Sequence, residues 1–263
     1  MSVPDRSQIE IFSKGPPSKD FPRETYVQQV IDVASWSEQA GCTASLMCTD
    51  NSIVDPWLLS QLLLSSPAPV TFEDKCYKVD NLKMSPPLAP ELFPGILMSG
   101  SSDAGMAAAW AAGATAVQHP KPAKDVDTHA VPDGEKSGVR GGIIARPKSS
   151  DAWSVSHERL PGDRKSQLAH PLAMRVSDSV LHQQLSHMIK EVGEVQGVYW
   201  MWPFQNYQTF CPYLCGSYEE VADEVSRYVR GGFKSFILDI PPGREELQRT
   251  QALFDCALRS VAP

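Results

Sequence analysis

The chain has 263 residues, enough to bury a full core without disulfides or metals. Its hydrophobic fraction of 42% and charged fraction of 21% are those of a globular protein, so wholesale disorder and coiled coil are excluded. The formal charge of −7 disfavours non-specific binding to nucleic acid, which needs a basic face, and leaves room for one anionic ligand held locally. No apolar run approaches the roughly 18 residues that a membrane span needs. Residues 1–15 carry charges and no apolar signal-peptide core. The six cysteines (Cys42, Cys48, Cys76, Cys211, Cys215, Cys256) form no C-x-x-C pair and no dense framework, which predicts a cytoplasmic protein with reduced thiols.

In chain order the pattern alternates short apolar runs with amphipathic segments. Residues 9–12 predict a strand, and a Pro-rich loop follows. Residues 24–40 predict a helix with Val27, Val30, Ile31, Ala34 and Trp36 on its apolar face and Gly41 as its stop. Residues 44–47 predict a strand, and Asp55-Pro56 opens a helix at 57–64. The Pro-rich stretch 65–94, with a strand-like piece at 76–79, breaks the rhythm and reads as an excursion. Alternation resumes with a strand at 95–99, a helix at 103–112 and a strand at 114–118. A strand at 139–145, a helix at 150–160 and a further helix at 178–192 come next. The aromatic-rich segment 199–215 reads as irregular. A helix at 217–230, a strand at 235–240 and a helix at 245–260 complete the chain.

Repeated strand–helix units without hairpin signals argue for an α/β fold with a parallel sheet in a single domain. The candidates are a (β/α) barrel and a doubly wound sheet. About six strands are countable, where the common closed barrel has eight.

Three features carry chemistry. Ser99-Gly100-Ser101-Ser102-Asp103-Ala104-Gly105 follows a strand and opens an Ala-rich helix, a junction that presents free N–H groups to an anion such as phosphate. The alternative is that Ser102 or Asp103 only caps the helix. Arg140 lies inside an apolar strand, which is costly unless it is paired or faces a cavity. It either binds an anionic substrate or flavin group, or pairs with a neighbouring acid such as Asp239. The aromatics Tyr199, Trp200, Trp202, Phe204, Tyr207, Phe210 and Tyr213 either wall a pocket or pack as core under a long loop. His119 follows a strand where a barrel site would lie. His182 and His187 are wrongly spaced for two ligands on one helix face, and no metal motif occurs. Cys211 and Cys215 read as two unconnected thiols.

Together these segments resemble the bacterial luciferase-like, reduced-flavin-dependent monooxygenases, in the alkanesulfonate monooxygenase-like branch. The matching pieces are QVIDVASWSEQAG (29–41), TDNSIVDPW (49–57), residues 83–105 containing PPLAPELFPGI and SGSSDAG, GATAVQHPKP (113–122), residues 138–159, RVSDS (175–179), residues 203–218 and FILDIPP (236–242). The resemblance implies a TIM-type (β/α) barrel that binds reduced FMN and uses dioxygen to oxidise a small organic, sulfonate-like substrate. It implies a separate NAD(P)H-dependent flavin reductase as partner. It places the FMN phosphate at Gly100, Ser101, Ser102 and Gly105, and it makes Arg140 the strand arginine beside flavin and sulfonate. Against the family pattern, roughly 100 residues are absent between Leu64 and about Phe72, which removes two central βα units from an expected eight and leaves an incomplete barrel of about six strands. Gly142, Ile53 and Ile240 stand where the sulfonate enzymes place His, Cys and Tyr. A barrel short of strands closes differently or takes a partner at its edge. The second reading is therefore an inactive flavin-binding or structural subunit of a homo- or hetero-oligomer, or a truncated remnant.

Overall fold

The computed structural model describes residues 9–16, 23–46, 69–73, 78–82, 95–99, 102–122, 126, 131–162, 195–206, 208–209 and 211–261. The helices expected at 57–64 and 178–192 lie outside them. Eleven strands and six helices occur among the described residues.

The framework is a run of six parallel strands. In chain order they are β1 (Glu10–Lys14), β2 (Ala44–Leu46), β5 (Leu97–Ser99), β6 (Thr115–Gln118), β7 (Ser137–Arg146) and β11 (Ser235–Leu238). Their lateral order is β2-β1-β11-β7-β6-β5, every pair parallel. Among the described residues β2 and β5 remain unjoined ends, so the sheet is open where a barrel would close. β7 is ten residues long and has different partners along its length. Gly138 to Gly141 pair with β11, and Gly142 to Arg146 pair with β10 (Tyr213–Ser217).

Antiparallel pairs also occur, contrary to the expectation drawn from the missing hairpin signals. β3 (Val70–Glu73) and β4 (Lys78–Leu82) form a two-stranded sheet inside the stretch read as an excursion. β10 pairs with β7 in parallel, and β9 (Tyr199–Trp200) and β8 (Val195–Gln196) extend this branch as antiparallel pairs. The β8–β9 turn is only Gly197-Val198, and Gly197 adopts φ +61°. A hairpin signal of one Gly in an aromatic segment is too short for a pattern reading to find.

The helices cover one face of this sheet. α1 (Arg23–Gln39) ends in a Schellman arrangement: the Cys42 N–H donates to Ser37 O at 2.9 Å, the Gly41 N–H donates to Glu38 O at 3.0 Å, and Gly41 adopts φ +66°. Among the described side chains, α1 buries Val33 and Ser37, and Ala40 follows just past its end; Ile31, expected on the apolar face, is 54% exposed. Serine replaces an apolar contact here, because Ser37, Ser13 and Ser45 hydrogen-bond in series at 2.6 and 2.8 Å and join α1 to β1 and β2.

α2 (Asp103–Ala111) and α3 (Ser149–Arg159) follow β5 and β7, and α4 (Trp202–Gln205) is a single turn. α5 (Tyr218–Arg230) opens with a capping box between Ser217 and Glu220. Its buried residues Val221, Val225, Tyr228 and Val229 recur at helical spacing. α6 (Arg244–Val261) packs on α5 and buries Leu247, Leu253, Phe254 and Ala257.

Side-chain parity separates the two faces of the sheet. Phe236 packs edge-to-face on Phe254 of α6 at 5.0 Å, so even-numbered β11 residues face the helices. Ser235 instead donates to Glu10 at 2.7 Å on the opposite, inner face. By register, Phe12, Ile237 and Arg140 share the next inner row, and Lys14 and Asp239 the row above. Helices on one face and a polar inner face are the arrangement of a barrel wall, not of a doubly wound sheet.

Candidate active site

On the inner face Lys14 and Asp239 lie at the carboxyl ends of β1 and β11, the end where barrel enzymes hold their ligands, and Arg140 lies one row below on β7. Lys14 closes β1 and is 7% exposed. Its ammonium lies 3.7 Å from Asp239 Oδ1. The Tyr213 hydroxyl donates to Asp239 Oδ2 at 2.8 Å. Asp239 thus has a cation and a donor of its own, and the sequence alternative of an Arg140–Asp239 pair is not what the structure shows. Arg140 is half-buried, and its Nε is a buried donor with no hydrogen-bond partner. An unsatisfied guanidinium nitrogen on an inner barrel face is the donor an anion would satisfy.

Burial pushes the Tyr213 phenol well above its ordinary range, and the Asp239 carboxylate beside it adds to the effect. Tyr213 therefore stays a neutral donor. Cys211, fully buried near Asp239, Arg140 and Lys14, is pushed up by the same desolvation and remains a thiol. Cys215 is pushed up to about 11 by burial, and its sulfur lies 2.9 Å from Ser156 Oγ. Both cysteines are free, as read from their spacing.

The second part of the predicted site lies at the head of α2. Ser102 is the N-cap, and its Oγ accepts the Gly105 N–H at 3.1 Å. The cap role weighed for Ser102 is thus observed. It uses only the acceptor lone pair and leaves the hydroxyl proton able to donate. Gly100 and Ser101 lie outside the described residues, as does Ile53. With β6 between β5 and β7, about 10 Å of sheet separates this helix head from the Arg140 strand.

The aromatic segment resolves as core. Tyr199, Trp200, Phe204 and Tyr213 are all buried, and Trp200 stacks edge-to-face on Trp153 and Tyr213. Tyr207 and Phe210 lie outside the described residues. His119 is buried at the end of β6; His157 packs against Trp153 and Trp200, and the other four histidines lie outside the described residues. Among the described residues no group of three metal-ligating side chains occurs, and no helix is long and apolar enough to cross a membrane.

Sequence reasoning passed over Lys14 and named Asp239 only as a partner for Arg140. The signal was available: Lys14, Arg140 and Asp239 are charges placed in or at the ends of apolar strands. Only the register shows that they share a face.

No family model matches the chain. It is 33% identical over 184 residues to 4-(gamma-L-glutamylamino)butanoyl-[BtrI acyl-carrier protein] monooxygenase BtrO of Niallia circulans, covering 68% of this chain and 53% of that protein. The chain thus spans about half the length of the curated relative it matches. Among solved structures, an F420-dependent secondary alcohol dehydrogenase in complex with an F420-acetone adduct superposes with a TM-score of 0.58 at 11% identity, over 95% of this chain and 99% of that one. DmoA from Hyphomicrobium sulfonivorans matches at a TM-score of 0.49 and 18% identity, over 74% of this chain and 48% of that one. The polar inner face, the match to BtrO and the superposition on the F420-dependent dehydrogenase agree: the chain has the α/β fold of the luciferase-like TIM-barrel enzymes, with its sheet left open between β2 and β5 among the described residues.

Proposed function

We propose that the chain is a flavin-dependent monooxygenase that takes reduced FMN from a separate NAD(P)H-dependent reductase and oxidises a small organic anion with dioxygen. The observation that carries this reading is the buried, unpartnered Nε of Arg140 on the inner face. The residues fit the flavin in two places. The head of α2, with the Ser102 hydroxyl and the positive end of the helix dipole, suits its phosphate together with Gly100, Ser101 and Gly105. Arg140 suits an anionic group of flavin or substrate. When bound, the reduced flavin supplies the electrons that activate dioxygen. The protein's own part is to seat the two anions, to keep Tyr213 protonated as a donor, and to exclude water with the packed wall of Ile237, Tyr213 and Trp200.

The substrate is a sulfonate or a carboxylate, since both accept hydrogen bonds from a guanidinium. BtrO acts, by its name, on a glutamylamino-butanoyl group, and a free glutamyl carboxylate is an anion of this kind. Gly142, where the sulfonate enzymes carry His, removes one of the side chains that a desulfonating site would use.

Strands β2 and β5, unjoined among the described residues, favour a second reading, a flavin-binding or structural subunit that pairs with a full-length homologue. Anaerobic titration with reduced FMN, followed by Trp fluorescence, separates the two. Saturable binding weakened by Ser102→Ala and by Arg140→Met, with substrate-dependent oxygen uptake, supports the oxygenase. A folded protein that binds no FMN in either redox state removes it.

A further inference from the structure

Trp153, Trp200 and Tyr213 form a continuous line of ring contacts. Trp153 and Trp200 meet edge-to-face at 5.6 Å between ring centres, and Trp200 and Tyr213 at 6.5 Å. Such spacings put aromatic rings in direct contact, with no other layer between them. The rings come from three elements, α3, β9 and β10, so the line is a product of the fold. Trp200, in the middle, is only 1% exposed. The two ends differ in chemistry. At one end the Tyr213 hydroxyl donates to Asp239 Oδ2 at 2.8 Å, and Lys14 stands 3.7 Å from the other Asp239 oxygen. At the other end Trp153 is half-buried and borders an open cleft between α3 and α5. The exposed imidazole of His157 packs on both indoles there, 6.0 Å from Trp153 and 5.4 Å from Trp200. Packing alone accounts for the ring contacts. It requires neither a proton acceptor at one end nor solvent at the other.

We infer that Tyr213, Trp200 and Trp153 form a relay that carries single-electron oxidation between the carboxyl end of β11 and the protein surface. Indole and phenol are among the side chains that lose one electron most readily. Tunnelling falls off exponentially with the gap between donor and acceptor, so rings in contact exchange electrons fastest. An oxidised phenol is a strong acid and sheds its proton as the electron leaves. The Asp239 carboxylate is placed to take that proton. The sequence balances. An oxygen-centred one-electron oxidant at the barrel mouth takes an electron from Tyr213, and the phenolic proton passes to Asp239. Trp200 then gives an electron to the phenoxyl, which recovers its proton from Asp239. Trp153 reduces Trp200, and a thiol in solvent restores Trp153. One electron has moved from solvent to the oxidant, and the protein ends unchanged. The same path runs inward from an oxidised Trp153 to Tyr213. The relay goes beyond the function proposed above and makes no use of Arg140.

The test is pulse radiolysis of the full chain with the azide radical, which oxidises indoles by one electron. The separate absorption bands of indolyl and phenoxyl radicals report the transfer. In wild type, indolyl should decay into phenoxyl in a first-order phase whose rate does not depend on protein concentration. Trp200→Phe should slow that phase at least about tenfold, because a phenyl ring fills the space without being oxidised. Tyr213→Phe should remove the same phase, and the double variant Trp200→Phe/Tyr213→Phe should remove no more than either alone. Trp153→Phe, at the half-buried end, should lower its amplitude, and this variant serves if the buried ones fail to fold. The wild-type rate should fall in heavy water, since a proton moves with the electron. A phase unchanged in folded Trp200→Phe, Tyr213→Phe or Trp153→Phe overturns the relay, as do losses that add in the double variant. A rate equal in light and heavy water overturns the proton step to Asp239. These outcomes are read without flavin, so they stand apart from the FMN titration.

Discussion

Arg146 and Glu246 meet across 100 residues of chain: Nη2 donates to Oε1 at 2.6 Å and Nη1 to Oε2 at 3.3 Å. The two-pronged contact ties the far end of β7 to the first turn of α6. Arg159, on the last turn of α3, approaches the same carboxylate at 3.5 Å and donates to Ile240 O at 3.3 Å. One acid thus gathers a strand, two helices and the loop that carries Asp239. With Arg146 and Glu246 only 11% and 16% exposed, loss of one partner strands a largely buried charge. Glu246→Gln should destabilise the fold by about 3 kcal/mol, read by urea denaturation. A change below about 0.5 kcal/mol would show that the contact behaves as a surface pair.

Arg140 has the opposite balance. Its buried Nε gains no hydrogen bond in the fold, so Arg140→Met should leave stability unchanged or raise it, because the apolar stem is kept and an unsatisfied polar group is removed. The same substitution should abolish anion binding. Thermal unfolding and FMN titration on one preparation check both halves, and a clear loss of Tm would mean that the guanidinium has a structural partner.

At Gly142 no side chain can be added while Tyr213 keeps its place. Gly142→Ala should cost about 1–3 kcal/mol through overpacking. Gly142→Ala/Tyr213→Ala should be less destabilised than the sum of its parts. Strict additivity in that cycle would place the two residues out of contact.

The capping box of α5 sets a pH dependence. The Ser217 N–H donates to Glu220 Oε2 at 2.7 Å, and Glu220 N–H donates to Ser217 Oγ at 3.2 Å. The backbone donor, helped by Ser149, lowers the Glu220 pKa in the folded protein. A carboxylate lowered on folding contributes stability above its unfolded pKa, near pH 4, and that contribution is lost as pH falls through the folded value. Glu220→Gln should therefore lower Tm at about pH 6 and converge with wild type in acid. Parallel Tm curves down to about pH 3 would exclude the coupling. Ser217→Ala should cost about 1 kcal/mol at neutral pH.

The helices and parallel strands were legible because their signals are local. Gly41 stops α1, Ser217 and Glu220 start α5, and the apolar spacing of α6 is carried by neighbours three and four residues apart. Apolar spacing misplaces the buried face of α1 because the Ser37–Ser13–Ser45 series lets serine take core positions, a contact between three separated segments. β10 was missed because its sequence reads as loop, and it is a strand only through pairing with the far half of β7.

Composition and order of elements, taken from the sequence alone, determined an α/β chain with parallel strands too few for a closed eight-stranded barrel. They also placed an arginine where an apolar strand needs a reason for it. The tertiary structure decided what that arginine meets. The register set Lys14 and Asp239 in one row and gave Asp239 to Lys14 and Tyr213, leaving Arg140 Nε without a partner. It also put the Tyr213 ring over Gly142. Strand parity is a local property, but which strands lie side by side depends on contacts far apart in the chain, and those contacts decide which charges are neutralised.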